Sequence, residues 1–595
     1  MDIVHSIEYD ESPVCDSPIY CHGELLRTIQ MSGLFKDSKT FVDKKLKNAP
    51  GKVVKAFDVF LQENSEMTKE KLEKFLEENF DDEGLEIEAS PPKDWSQVPP
   101  FTVNLKSAKL RGLAKRINRL WMKLNRKIIS DVEERQSLYS IIYVPNNFVV
   151  PGGRFREFYY WDTYWIIKSL LHCGMTLTVR GMIENFFYMI DKYGLIPNGG
   201  RIYYVKRSQP PILSLMVNDY LKHTGDTEFL NEAIGPLSKE IDFWEKNRSV
   251  NVKYLGHEFM MFRYGTNGTG PRPESFKEDF ELVSNAPDSD KERMYYDLKA
   301  GAESGWDYSS RWFISESGNI SSDIIDIHTS SIIPVDLNCF MFLCYKNLSH
   351  FYTRLGNHEK AKEWIVKATC LRLAIHIVLY DDEEKIWFDY DLKNKKKRNY
   401  YFLSNITPIW AECYPPDISP EVAGQNVINY LRRVGALKYK GGVPTSLINS
   451  GQQWDFPNAW PPLQHILIVG LMNTGHTKWA QNLARLYTDS TMFSCSEDDD
   501  ACKIFEKYSV VDRGTAGGGG EYEVQEGFGW TNGVIIDLIA MFRDDLLVDH
   551  SKEIEDPEPT KDDVIAVFDV SSGKSHPLRS NAWEKIKKIY FSKKI

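Results

Sequence analysis

Residues 348–380 read LSHFYTRLGNHEKAKEWIVKATCLRLAIHIVLY. Apolar side chains return every three or four positions on both sides of Gly356. That is the spacing of a helix with one buried stripe, and glycine is a common helix stop. The pattern recurs at 114–128 (AKRINRLWMKLNRKI), 163–175, 183–194, 229–247, 420–435 and 477–490. Strand-like alternation is scarce. A mostly helical chain is expected, with long loops rich in Gly, Pro and aromatic residues between the helices.

Upstream, residues 1–35 read as an irregular lead-in. From about 38 to 81 helical spacing appears again, as in KVVKAFDVFL and TKEKLEKFLEENF, and SPPKDWSQVPP at 90–100 reads as a Pro-rich linker. The end of the chain, 551–595, is a charged appendage whose ordinary explanation is solvation. Five long loops carry dense polar and aromatic clusters, at 151–165, 194–211, 265–312, 451–464 and 505–532. Long structured loops in a compact protein are uncommon and tend to carry function.

Composition excludes several classes. A formal net charge of −11 is the wrong sign for binding phosphate backbones, so no nucleic-acid partner is expected. The longest apolar run, GVIIDLIAMF at 533–542, is too short to span a bilayer and holds a carboxylate. The N-terminus MDIVHSIEYDESPVC lacks the basic flank and apolar stretch of a signal peptide. A soluble, cytoplasmic protein is expected for the chain as it stands, and an extracellular one for a trimmed form. The nine cysteines contain no C-x-x-C pair, so no metal is expected, and an odd number cannot all pair internally.

Familiar motifs fail on inspection. SSGKS at 571–575 has Phe568 where a phosphate loop needs its first glycine. GTAGGGGE at 514–521 ends in a carboxylate that would repel phosphate. SEDDDA at 496–501 lacks the spacing and central glycine of a calcium loop. What remains is arginine and carboxylate residues in loops, flanked by Trp, Tyr and Gly. Neutral sugars make this demand: hydroxyls are held by charged forks, and the apolar ring faces rest on aromatic rings. Cleaving a bond between two sugars needs two further carboxyl groups, one protonated and one ionised.

PGGRFREFYYWDTYW (151–165) and QQWDFPNAWPPLQ (452–464) resemble the two signatures of the trehalases, in the form found in animals and particularly insects. PNGGRIYYVKRSQPP, GPRPES, AGAESGWDYSSRW and EKYSVVDRGTAGGGGEYEVQEGFGWTNG are similar to further blocks of that family, in the same order. The resemblance spans about residues 15–550. It implies an all-α (α/α)6 barrel, two concentric rings of helices with a loop-built pocket at one end. Residues 36–550 would form a single catalytic domain, in which 36–100 is a helical extension packed on the barrel. The implied activity is hydrolysis of α,α-trehalose with inversion, by a monomer without cofactor or metal. Another α-glucoside as substrate, or an inactive sugar-binding homologue, stays open.

Roles carry over by position. Asp307 of ESGWD matches the proton donor and Glu506 the base. Arg154, Trp161, Asp162, Asn198, Arg207, Ser208, Gln209, Arg272, Glu274 and Gly305 match sugar-holding positions. Glu521, which closes the glycine run, is included with them. Trp454 is added as a stacking platform. Trp306 and Tyr308 beside Asp307 are expected to desolvate it and favour its protonated form. Gly517–Gly520 are expected to allow positive φ or close backbone approach. In the first signature, Phe155, Phe158 and Tyr164 are expected to pack, and Arg154, Trp161 and Asp162 to face the sugar.

Overall fold

A computed structural model describes residues 15–64, 66–494, 503–520 and 522–551. Glu521, the 496–501 acidic run and all of the C-terminal appendage except residue 551 therefore lie outside the described residues.

The opening stretch forms two helices, Val335–Arg354 and His358–Ala374, broken at Gly356, which takes φ +75°. Asn357 starts the second by accepting the amide N–H of Lys360 on its side chain. The first is buried on nearly all sides and the second on one side only. That difference separates an inner ring of helices from an outer one.

Six inner helices run in chain order: Tyr160–His172, Leu213–Thr224, Val335–Arg354, the one-turn Thr407–Trp410, Pro461–Asn473 and Gly529–Phe542. Each packs on the next, and the last returns to pack on the first, so the ring is closed. Gly533 makes that closure possible, because a Cβ there would lie 2.2 Å from the carbonyl oxygen of Trp165. Six outer helices lean on the seams: Ala108–Leu124, Thr176–Tyr193, Phe229–Arg248, His358–Ala374, Pro420–Arg433 and Thr477–Phe493. Ala108–Leu124 shows why they stay outside. It buries Leu110, Leu113, Ala114, Ile117 and Trp121 along one stripe and leaves its Lys and Arg residues off it. The architecture is the all-α (α/α)6 barrel.

Strands are short and confined to loops among the described residues. The longest hairpin pairs Ser249–Tyr254 with His257–Phe262. The Pro-rich 90–100 stretch is laid against outer helices. Trp95 donates its indole N–H to the Asn118 carbonyl, and Asp94 accepts from Leu177 and Thr178 at the start of a neighbouring helix.

Helices Glu24–Met31, Pro50–Glu63 and Lys69–Asn79 gather a second core around Leu26, Ile29, Phe41, Phe57 and Phe75. Tyr159, Tyr203, Tyr204 and Phe276, from the barrel's loops, complete it. Charge pins the junction. Lys39 Nζ lies 2.8 Å from Glu157, and Arg201 lies 2.8 Å from Glu86, all four side chains being buried. Cys15 and Cys21 are joined by a disulfide.

Candidate active site

A cavity opens at the N-terminal ends of the inner helices. Tyr159, Trp460 and Phe528, the residues that precede three of those helices, all line it. Helix N-termini carry partial positive charge, which favours carboxylates and polar ligands there. With its opening to solvent, the cavity has about 700 Å³ of unoccupied space.

The structure brings Arg154, Trp161, Asp162, Asn198, Arg207, Gln209, Arg272, Glu274, Gly305, Asp307, Trp454 and Glu506 to this one cavity. Ser208 is not on it. Its hydroxyl donates to the Ile196 carbonyl at 2.6 Å and its N–H to Glu303 at 2.9 Å, so it holds the loop from behind. Gly305 has φ +75°, and a Cβ there would meet the Trp161 ring at 3.0 Å, so only glycine fits.

Trp454 lines the cavity without offering a ring face to it. Trp460 stacks on it at 4.0 Å and 4°, and Trp306 at 5.2 Å and 17°. Those two rings are not themselves neighbours, so they cover opposite faces of Trp454. The expected stacking platform is therefore the middle layer of a stack. Phe155, expected only to pack, lines the cavity with its ring set edge-on to Tyr522 and Phe528. Phe158 and Tyr164 are buried in the core.

Glu506 is pinned on three sides. Its N–H donates to the Gln525 carbonyl at 3.0 Å, and its own carbonyl accepts the Trp530 indole N–H at 3.0 Å. Tyr522 donates its hydroxyl to Oε1 at 2.9 Å. The other oxygen, Oε2, is buried and accepts no hydrogen bond from the described residues. Burial pushes the Glu506 carboxyl up, while Lys507, the Tyr522 hydroxyl, the Gln525 backbone and Arg154 favour its charge. Asp162, in the first turn of Tyr160–His172, is raised well above the usual carboxylate range, first by burial and then by Glu506 and Asp307 nearby.

Two arginines are held on carboxylates that also line the cavity or sit just behind it. Arg207 donates to Asn198 at 2.9 Å and to Glu274 at 2.5 Å. Arg272 is forked onto Asp279, with Nη2 at 2.7 Å from Oδ1. Burial pushes Glu274 up, but Arg207 and Arg272 outweigh it and hold it net below its ordinary value. Its Oε2 is buried and unpartnered among the described residues. Arg154 is forked onto Asp37 of the N-terminal extension, at 2.9 and 2.8 Å, and lies 4.8 Å over the Tyr522 ring.

Sequence reasoning did not single out Tyr159, Tyr204, Ser275, Trp460, Tyr522, Phe528 or Trp530 on the cavity wall. All but Ser275 are aromatic, and all lie within the quoted blocks beside residues that were chosen. A partner for each was the missing signal. No group of three or more His, Cys, Asp or Glu among the described residues could hold a metal ion. No helix among them is long and apolar enough to cross a membrane.

The sequence profile of the Trehalase family matches residues 33–543. Trehalase of Homo sapiens is 45% identical over 538 residues, covering 90% of this chain and 91% of that protein. Trehalase of Apis mellifera is 46% identical over 537 residues, covering 89% and 85%. Among solved structures, the neutral trehalase of Saccharomyces cerevisiae superposes with a TM-score of 0.55 at 24% identity, covering 68% of this chain and 74% of that one, a likeness of fold.

Proposed function

The chain belongs to the trehalase family, and we propose that it hydrolyses α,α-trehalose to two glucose molecules with Asp307 as general acid and Glu506 as general base. The observation that carries this reading is a pair of carboxyl groups on one cavity, one of them with an oxygen that no described residue uses. Glu506 Oε2 takes a proton from water, and the water oxygen attacks the anomeric carbon. Asp307 gives its proton to the bridging oxygen as that bond breaks. The attacked carbon inverts, and one product leaves as β-glucose.

Arg207, Arg272, Asn198 and Glu274 hold the sugar hydroxyls. Glu274 Oε2, already desolvated and unpartnered among the described residues, accepts from one of them. Asp162, on the same cavity wall, hydrogen-bonds to another. Developing positive charge on the sugar ring faces the Glu274 carboxylate, and a fixed charge of this kind lowers the barrier without reorganising.

The test is release of reducing sugar from trehalose, with the anomers followed by NMR before they equilibrate. Equal α- and β-glucose at early times is expected, and α-glucose alone refutes inversion. Asp307→Asn and Glu506→Gln should each lower kcat by roughly three orders of magnitude while trehalose still binds. Turnover retained in either removes that residue from its role.

A further inference from the structure

The second signature joins the two catalytic segments. On one side it runs along the acid. Gln453 donates its side-chain N–H to the Asp307 carbonyl, and the Trp454 N–H donates to the Tyr308 carbonyl at 3.0 Å. Asp455 accepts from the Ser309 hydroxyl at 2.9 Å and the Ser310 N–H at 2.7 Å. On the other side it pairs with the base segment. Asn458 and Ala459 form an antiparallel ladder with Ser509 and Tyr508. Lys507 Nζ donates to Gln453 Oε1 at 2.8 Å. One amide side chain thus connects the carbonyl of Asp307 to the residue after Glu506.

A column of side chains runs through the same segment. The Arg311 guanidinium lies 4.6 Å over Trp306, which stacks on Trp454, which stacks on Trp460, and Lys507 Nζ lies 4.7 Å over Trp460. Each of these five side chains is almost wholly buried. Arg311 is itself fixed by Asp336 and Asp389. Trp306 precedes Asp307 in the chain, and Lys507 follows Glu506. Capped beyond Trp306 by Arg311, the column therefore runs from the residue before the acid to the residue after the base. Stacked indoles cannot be compressed, and each buried cation is attracted to the ring face beneath it.

We propose that the column Arg311–Trp306–Trp454–Trp460–Lys507, bridged by Gln453, is the spacer that sets the separation of the Asp307 and Glu506 carboxyl groups. The inference rests on the acid and base roles given above. Inversion needs room for one water between base and sugar, so a fixed separation is a condition of turnover. Trp454 and Gln453 are then positioning residues, acting through the backbone of the catalytic pair, and Lys507 adds to that role its charge beside Glu506. Their effect belongs in kcat, because the arginines that hold the sugar lie elsewhere on the cavity wall.

The experiment compares Trp454→Phe, Trp454→Leu and Lys507→Met in the full chain, with kcat and KM on trehalose and a thermal melt for each. Losing or thinning one layer should lower kcat about tenfold for Phe and about a hundredfold for Leu, since misplacement near 1 Å costs that much. KM should stay within threefold. Lys507→Met keeps the side-chain length, removes the cation, and should lower kcat about tenfold, which keeps the test open should a Trp454 variant fold poorly. Each change is also combined with Glu506→Asp, which retracts the base. Coupled residues give a double variant far better than the product of the single losses.

A kcat within twofold of the parent in the folded variants overturns the spacer. So do losses that multiply independently with Glu506→Asp, the result for a merely structural role. Activity persisting in Glu506→Gln would instead overturn the acid–base reading itself.

Discussion

Tyr522 donates its hydroxyl to one oxygen of Glu506 at 2.9 Å and leaves the other oxygen of the same carboxylate buried and, among the described residues, unpartnered. The bond stabilises the charged form, which is the form a base needs. Tyr522→Phe should therefore raise the Glu506 pKa further, and the acidic limb of the kcat/KM profile should move to higher pH. One lost hydrogen bond implies a roughly threefold to tenfold loss on the acidic side, with activity recovered at alkaline pH. A pH–rate profile checks this, and an acidic limb left in place would count against the bond's role.

Asp37 reaches Arg154 from outside the barrel, 117 residues away in sequence. Its carboxylate is partly exposed, so Asp37→Asn should fold normally. Loss of the charged fork frees the guanidinium, and KM for trehalose should rise about threefold to tenfold while kcat changes less than twofold. Steady-state kinetics separate the two constants.

Asp162 has a folded-state pKa raised by burial and by its carboxylate neighbours. Stability held by its protonated form is complete below the unfolded carboxyl value and is lost as pH rises through the raised one. Asp162→Asn, neutral throughout, should thus be more stable than the parent at pH 7 by about 1 kcal/mol, the usual gain when an active-site strain is removed. The gain should vanish near pH 3. Urea melts at the two pH values provide the comparison.

Asp537 shows the opposite sign. It accepts from His172 at 2.8 Å and His465 at 2.7 Å, and although burial opposes its charge, Lys168 and the two histidines hold it well below the usual carboxylate range. Its contribution is present above the unfolded carboxyl value and is lost as pH falls through the depressed one. Asp537→Asn weakens the acceptor shared by His172 and His465, while Lys168 keeps Asp219 at 2.9 Å, and should cost about 1–3 kcal/mol, read as a lowered melting temperature at neutral pH.

Helical periodicity was legible at Gly356, and its inner and outer consequences followed from how much of each helix was apolar. The cavity residues were legible because their blocks resemble a known family in order, and twelve of the named positions meet at one cavity. What sequence could not show was orientation. Ser208 sits between two cavity residues, yet its hydroxyl turns to the Ile196 carbonyl. Trp454 has the right chemistry for a sugar platform, but Trp306 from a distant segment and Trp460 from further along the same signature take both its faces. Asp37 carries no motif, because its role exists only once Arg154 is folded against it.

The joint between the first and last inner helices has a temporal consequence. Trp161 and Asp162 stand on one side of that joint and Trp530 on the other, so the pocket exists only when the two meet. A ribosome must deliver every inner helix before Gly529–Phe542 can dock on Tyr160–His172. Until then, five inner helices present apolar faces with no final neighbour, a state that invites aggregation and chaperone binding. Trimming the chain from its C-terminal side into that last helix would remove both the clasp and one wall of the pocket at a stroke. Activity should therefore disappear abruptly with truncation, without a series of weakened intermediates.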